Sequence, residues 1–321
     1  MLERNVIEQQ LKTTLNELDL PQLGEKYRGK VRDCYVVGSQ RILITSDRLS
    51  AFDRVLTTIP FKGQVLNQMA SYWFRETRHL VPNHIIAEPH PNVFVGREAK
   101  ILPVEVIVRG YLTGSAWRDY QAGKAISGIT LPKGLKKSAR FETPLITPST
   151  KAEHGVHDEP ISSEEIVRTG LVEKKLWEET CDAALRLFAF GTKRAAENGL
   201  ILVDTKYEFG VAPGANGKPE LIVADEIHTS DSSRYWVLSS YDDAYASGQD
   251  PVMLDKEFVR GWLMKQGYMG DGTPPAFPDA FRVDTAIKYI EAFERITGKQ
   301  FEGLPGNPQE AIKRALADFL G

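Results

Sequence analysis

The sequence is poor in cysteine, has no long apolar run, and carries almost no excess charge of either sign. Cys34 and Cys181 are the two cysteines in 321 residues. They lie far apart without a metal-type spacing, which argues against a disulfide framework and a zinc site and points to a reducing compartment. No apolar run approaches the roughly 18 residues of a membrane span. The N-terminal stretch, with Glu3, Arg4, Glu8 and Gln9, lacks the apolar core of a signal peptide. The net charge of -3 gives no overall field to draw the chain to nucleic acid or an acidic membrane, so any affinity for phosphate must be local. His84 and His90 fall among the prolines of Pro82 to Pro91 and match no metal template, so they are expected as solvent-exposed loop residues. What remains is a soluble, cytoplasmic globular chain, 42% hydrophobic and long enough for two lobes.

Chemistry concentrates in one predicted hairpin. Leu200 to Val203 and Leu221 to Val223 read as strands, joined through the turn-forming run from Ala212 to Gly217. Strand side chains alternate, so Asp204, Lys206 and Glu208 point one way and Val203, Thr205, Tyr207 and Phe209 the other. An ordinary hairpin with one wet face would show the same pattern. Asp225 and Glu226 favour a site, because they follow directly on an apolar run and buried carboxylates require a cation or hydrogen bonds. Oxygen ligands beside a lysine suit a magnesium-nucleotide site. If Glu208 and Asp225 share one ion they must share a face. That requires either an odd pairing register or an irregularity near residues 224 to 226.

The rest of the chain supplies further candidates. Residues 5 to 19 have the apolar spacing of an amphipathic helix, and from Gly24 the period becomes two, with Lys26, Arg28, Lys30 and Arg32 alternating along a predicted strand. Those cations are either a phosphate site or a solvated face. Ser46 to Asp53 is a polar turn that either binds a ligand or caps its own backbone. Gly63 to Thr77 reads as a core helix. Ile101 to Val108 reads as a buried strand with Glu105 needing a partner, and it runs into Arg109-Gly110-Tyr111-Leu112-Thr113-Gly114-Ser115, which is either a phosphate loop or a charged connection. Residues 121 to 160 read as loop throughout, with hydroxyls, Lys151, His154 and His157 gathered from Thr147 to Asp158. Ser162 to Glu165 starts a helix and Trp177 to Ala196 forms a long one. A second hydroxyl-rich loop spans His228 to Trp236, and helices are expected near 255 to 266, 281 to 296 and 308 to 320.

Gly29-Lys30-Val31-Arg32-Asp33, Ser46-Asp47 with Ser50-Ala51-Phe52-Asp53, Val108-Arg109-Gly110 with Gly114-Ser115, Thr147-Pro148-Ser149-Thr150-Lys151, Asp204 to Gly210, and Ala224-Asp225-Glu226 with Asp231 to Arg234 occur in this order. Over roughly residues 20 to 240 the chain resembles the phosphoribosylaminoimidazole-succinocarboxamide (SAICAR) synthases, in their longer, yeast-like branch. The resemblance implies an α+β, two-lobed SAICAR synthase-like or ATP-grasp-like fold with antiparallel sheets and a helical C-terminal extension. Its expected parts are a nucleotide-binding lobe over 1-112, a central α+β lobe over 113-240 and a helical region over 241-321. It also implies an ATP-dependent ligase of purine biosynthesis that joins the carboxylate of carboxyaminoimidazole ribotide (CAIR) to the amine of L-aspartate, without nucleic acid or membrane partners and as a monomer.

By the same resemblance, Lys26, Gly29, Lys30 and Arg32 meet the ATP phosphates, and Ile101, Leu102 and Glu105 lie beside the adenine. Glu208 and Asp225 hold Mg2+, Lys206 steadies the reacting carboxylate, and Lys151 reaches the γ-phosphate. Arg109, Ser115 and Arg234 hold the ribotide phosphate, and Asp47, Ser50, Asp53, Asp204 and Asp231 complete the substrate set. Two rival readings are a kinase or ligase of this fold acting on another phosphorylated substrate, and a non-catalytic nucleotide-binding regulator. The second would be marked by loss of Lys30, Glu208 or Asp225, all of which are present.

Overall fold

In the computed structural model, which describes residues 2–52, 54–151, 158–214, 216–254 and 257–321, the first helix is shorter than its apolar spacing predicts. Helix α1 is Arg4–Gln10, and after a 3-10 turn to Thr13 the chain is irregular up to Leu20. The helix expected as far as residue 19 fails because its backbone groups are taken by partners elsewhere in the sequence. The Leu15 N–H donates to Asp47 Oδ2 at 2.7 Å and the Leu20 N–H to Tyr35 Oη at 2.9 Å, while at the end of α1 the Gln10 side chain donates to the Gly306 carbonyl at 2.9 Å. Helix propensity is a weak preference beside such bonds.

Next come β1 (Lys26–Arg28), β2 (Arg32–Val37), β3 (Gln40–Thr45), β4 (Arg48–Ala51), β5 (Arg54–Thr58), α2 (Lys62–Thr77), β6 (Ile85–His90) and β7 (Val93–Arg97). They form an antiparallel sheet in the order β1-β2-β3-β7-β6 and a separate β4-β5 ribbon. The alternating cations do not share one strand. The chain reverses at Gly29 and Lys30, so that Lys26 faces Tyr35 and Arg28 faces Asp33. Ser46 and Asp47 lie just before β4, and Asp47 is buried. Its second oxygen accepts the Gly63 N–H at 2.8 Å in the first turn of α2, so it caps a helix distant in sequence and not its own turn as the sequence reading allowed. His84 and His90 are also buried, with His90 at the end of a strand, so the exposed loop expected there is corrected. Pro89 is tolerated in β6 because this strand lies at the sheet edge.

The chain continues through β8 (Lys100–Tyr111), α3 (Gly114–Gln121), β9 (Arg140–Ile146), β10 (Ser149–Thr150), α4 (Ser163–Arg168), α5 (Lys174–Glu197), β11 (Leu200–Pro213), β12 (Pro219–Ala224), β13 (Ser233–Val237) and α6 (Tyr241–Ser247). Strand β11 is the axis of this sheet, since it pairs with β8, β12 and β13. Strands β9 and β10 pair with β8 inside the segment expected to be loop. Their signal is hidden by Pro144 and Pro148, residues that an edge strand accommodates where a central one does not. Helix α5 lies tightly on the sheet: a Cβ at Gly110 would stand 3.3 Å from the Phe188 ring, and one at Gly191 would stand 2.4 Å from the His228 ring.

The C-terminal helices α7 (Glu257–Lys265), α8 (Asp279–Thr297) and α9 (Pro308–Leu320) follow near the expected positions. The chain divides into two compact units: Met1–Tyr72 with His84–Glu98 and Asp255–Gly321, and Trp73–Asn83 with Ala99–Leu254. Thus β8 belongs to the second unit and the helical tail to the first, whereas boundaries at 112 and 240 were expected. In the first unit Leu15, Leu18, Leu20, Tyr35, Ile42 and Val95 pack with Ile312 and Leu316 of α9. In the second, Tyr111, Ile201, Val203 and Trp236 pack together. Every ladder between strands is antiparallel. Among the described residues no helix is long and apolar enough to cross a membrane.

Burial makes His90 a pH-sensitive element of the first unit. Its Nδ1 accepts the Asn92 N–H at 3.1 Å, and burial pushes its pKa down to about 4. A base depressed on folding contributes stability that is complete above its unfolded pKa, about 6.5, and that drains away as pH falls toward its folded value. Between pH 7.5 and 5 the wild type is expected to lose about 2 kcal/mol through this residue. Chemical denaturation at both pH values checks this: the drop should shrink in His90→Asn, and an unchanged drop would remove His90 from the account.

Candidate active site

The functional side chains collect on one face of the β8-β11 ladder, and its register sets their order. Glu105 faces Glu208, Ile107 faces Lys206, and Arg109 faces Asp204. The ladder continues sideways, with Ser149 beside Glu105, Ala224 beside Glu208 and Arg234 beside Asp204. Two polar rows result. Four residues of β11 separate them, which at about 3.3 Å per residue is roughly 13 Å, and Lys206 stands midway. On the opposite face Thr205, Tyr207 and Phe209 are buried, as the alternation predicts.

The first row is held by charge. Glu105 and Glu208 would repel, but Lys206 bonds Glu105 and lies 3.5 Å from Glu208 Oε1, while Lys151 pairs with the other Glu208 oxygen. Burial acts to lower the Lys206 pKa, yet Glu208, Glu105 and Asp225 together hold it above its ordinary value, so the ammonium stays charged. Lys151 shows the same balance, with Glu208 and Asp225 outweighing burial. Burial pushes the Glu105 carboxyl up, and Lys206 opposes this. Asp225 therefore belongs to this cluster, since its charge acts on both lysines.

The register explains how Asp225 arrives there. Glu208 pairs with Ala224 and Phe209 with Val223, an even register that would turn Asp225 to the far face if the strand ran on. The ladder ends at Ala224, and Asp225 adopts φ +63°, a left-handed backbone that aspartate tolerates better than most residues. The predicted irregularity is present. Three residues on, the loop is anchored below the sheet, where His228 (φ +52°) has its Nε2 2.5 Å from Tyr207 Oη and its ring edge-on to Trp73. Burial holds His228 near pKa 3, so it is neutral. Among the described residues no group of three or more His, Cys, Asp or Glu side chains is placed to hold a metal.

The second row is an arginine pair. Arg109 donates from Nε to Thr147 Oγ1 at 2.8 Å, from Nη2 to Ser115 Oγ at 3.2 Å and from Nη1 to Asp204 Oδ2 at 3.3 Å. Arg234 Nε lies 3.5 Å from the other Asp204 oxygen. Burial lowers the Arg109 pKa, Asp204 opposes that and Arg234 adds to it. Arg109, Ser115 and Arg234 are thus brought together as the sequence predicts. Thr147, which opens the hydroxyl-rich segment noted in the sequence but had no role assigned there, joins them from the link between β9 and β10.

The other candidates are more dispersed in role. Lys26 is already paired with Glu17 at 2.5 Å and with Asp19, which raise its pKa against burial. Arg32 is buried, and Lys30 sits in the turn after β1. Leu102 is buried and Ile101 lies against Gly210, while Glu105 is directed to Lys206. Asp47 has both oxygens engaged by backbone N–H groups, and burial raises its pKa to about 6. Ser50 is half-buried opposite Val55, and the Asp231 N–H donates to Thr229 Oγ1 at 3.3 Å. Asp53, His154 and His157 lie outside the described residues.

Gly114 shapes the arginine row. It has φ +59°, and a Cβ there would stand 1.9 Å from Arg234 Nη1. Gly114→Ala is expected to cost about 1–2 kcal/mol for the left-handed backbone alone, plus the displacement of Arg234 from Asp204. Denaturant unfolding should show a smaller loss when Gly114→Ala is made in an Arg234→Ala background. Equal losses in the two backgrounds would mean that the guanidinium does not constrain this position.

The SAICAR synthetase family model matches residues 25–275. Phosphoribosylaminoimidazole-succinocarboxamide synthase of Legionella pneumophila (strain Lens) is 46% identical over 316 residues, covering 96% of this chain and 99% of that protein. The enzyme of that name from Bacteroides thetaiotaomicron is 44% identical over 313 residues, covering 96% and 98%. The structure of SAICAR synthase from Saccharomyces cerevisiae complexed with SAICAR superposes with a TM-score of 0.79 at 32% identity, covering 90% of this chain and all of that one. With these matches spanning nearly its whole length, the chain belongs to the SAICAR synthetase family.

Proposed function

We infer that this protein is an ATP-dependent carbon–nitrogen ligase of purine biosynthesis that joins the carboxylate of CAIR to the amine of L-aspartate, giving SAICAR, ADP and phosphate. Family membership supports the reaction. The observation that carries the site is the pair of polar rows on one sheet face, arginines in one and carboxylates with lysines in the other, with Lys206 midway. A ligand with a phosphate at one end and a carboxylate at the other matches that arrangement. A kinase or ligase of this fold acting on a substrate without a second phosphate would have no use for the Arg109–Ser115–Arg234 row.

A carboxylate does not acylate amines at neutral pH, so the γ-phosphoryl group of ATP must convert its oxygen into a leaving group, before amide formation or in concert with it. The protein's part is then positioning and charge compensation. Arg109 and Arg234 anchor the ribotide phosphate, with Ser115 beside them. Lys206, held cationic by its carboxylate neighbours, steadies the carboxylate under attack. Lys151, paired with Glu208, is the cation assigned to the γ-phosphate. Gly29 and Lys30 carry the nucleotide phosphates, with Arg32 and Lys26 in support. Ile101 and Leu102 offer the apolar surface for adenine.

Glu208 and Asp225 supply hard oxygen donors, which fits Mg2+, an ion that keeps several waters and is held by one or two carboxylates plus substrate phosphates. When bound, it would neutralise phosphate charge as the γ-phosphoryl group is transferred. Lys151 and Lys206 lie against Glu208, and the charge of Asp225 acts on both lysines. The protein is further taken to act in the cytoplasm, in keeping with two cysteines outside any disulfide, and as a monomer.

ADP release with CAIR and L-aspartate each omitted in turn tests the reaction: it should require both. Release without CAIR, or with CAIR replaced by an unphosphorylated analogue at equal efficiency, would overturn the reading. Arg234→Ala should raise the KM for CAIR about 10- to 100-fold, the worth of one charge-assisted phosphate contact, and leave that for ATP nearly unchanged; equal effects on both would count against the arginine row. Asp225→Asn should lose nearly all turnover while unfolding at a similar denaturant concentration, and a variant with normal activity and normal magnesium dependence would sink the two-carboxylate site.

A further inference from the structure

We propose that Arg48 is a positioning residue for the nucleotide phosphates, acting as a clamp that keeps the carbonyl oxygens of the Gly29–Val31 turn pointed into the protein. The proposal rests on the reading above that Gly29 and Lys30 meet those phosphates. Arg48 is fully buried, and all five of its guanidinium N–H donors are engaged. Nη2 donates to the Gly29 carbonyl at 3.0 Å and to Asp33 Oδ1 at 2.7 Å, and Nε donates to the Lys30 carbonyl at 3.1 Å. Nη1 donates to the Asn16 carbonyl and to Asp33 Oδ2 at 3.4 Å.

The neighbouring carbonyls are held in the same way. Val31 O accepts from Ser46 Oγ at 2.6 Å and from the Ser46 N–H at 2.9 Å, and Arg32 O accepts from the Gly29 N–H at 2.7 Å. Every carbonyl from Gly29 to Arg32 therefore has a donor inside this unit. A Cβ at Gly29 would stand 3.0 Å from Arg32 O, so the turn has little room for a side chain there.

The consequence follows from peptide planarity. In a trans peptide the N–H points opposite to the carbonyl. Fixing the Gly29 and Lys30 carbonyls inward therefore directs the Lys30 and Val31 N–H groups the other way. Successive N–H groups presented together form a concave anion site, and one flipped peptide would put a carbonyl oxygen against the phosphate instead. Asp33 compensates the buried guanidinium, so Arg48 adds orientation without adding charge to the turn. Lysine could not substitute, because a single ammonium lacks the planar fork that spans two carbonyls and a carboxylate.

Equilibrium binding of ATP and of adenosine to the full-length protein, with steady-state KM values, tests the clamp. In Arg48→Met the Kd for ATP should rise about tenfold or more, the worth of one or two hydrogen bonds, while that for adenosine and the KM for CAIR stay within about twofold. Arg48→Lys should recover only part of the loss. Should Arg48→Met fail to fold, Ser46→Ala frees one bond to Val31 O and should show the same phosphate-selective loss on a smaller scale. Equal weakening of ATP and adenosine would overturn the clamp in favour of a merely structural role, as would unchanged ATP binding in both Arg48→Lys and Ser46→Ala. Lys30→Ala separates the two levels. If it weakens ATP while the Arg48 and Ser46 variants do not, the clamp alone falls; if none of them does, the phosphate assignment of the turn falls with it.

Discussion

Two carboxylates set directly opposite each other on neighbouring strands repel, and the Glu105–Glu208 pair is tolerable only because two ammonium groups share it. That constraint orders the rest of the site. Lys206 must lie on the same face two residues from Glu208, which a strand provides and a helix does not. Lys151 must be delivered from another segment, and β10 does this by pairing with β8 immediately before it. The lysines are thereby kept charged and held against these carboxylates.

The two faces of β11 divide the labour between chemistry and rigidity. Above the sheet lie the ionised groups, and below it Tyr207, Phe209 and His228 are buried. A neutral His228 bonded to Tyr207 ties the loop after β12 to the neighbouring strand β11. Left-handed backbone at Asp225 and His228 costs of order 1 kcal/mol or more each and persists only where surrounding contacts determine it. Here that strain reverses the direction of one carboxylate, which a regular even register would have aimed away from Glu208.

Much of this was legible in the residues. The alternation of Asp204, Lys206 and Glu208 predicted their shared face, and the parity of Asp225 called for either an odd register or an irregular exit from the strand, of which the second is found. The helix over α2 and the three C-terminal helices were visible from apolar spacing. What escaped was set by distant partners. Residues 14 to 20 lose their helix to Asp47 and Tyr35, β9 is masked by the proline that its edge position permits, and His90 is buried although its surroundings read as loop. The basic run from Lys26 to Arg32 read as one strand because a hairpin turn at Gly29 preserves the alternation of residue types while reversing the chain. Arg48 gave no signal, since a buried arginine is recognisable only through the carbonyls it meets.

Asp204 illustrates how two arginines are held side by side in the row proposed to bind phosphate. Two guanidinium groups side by side repel each other, and Arg234 indeed adds to the lowering of the Arg109 pKa. One carboxylate between them, accepting from Arg109 on one oxygen and facing Arg234 on the other, leaves a net single positive charge. That is enough to attract an anion and too little to splay the arginines. Ser115 and Thr147 fix the Arg109 fork from the remaining directions, so its orientation does not depend on ligand. The phosphate proposed for this row offers more acceptor oxygens than Asp204 occupies, so its binding does not require the carboxylate to leave. Gly114 completes the arrangement by leaving Arg234 the space that any side chain would fill.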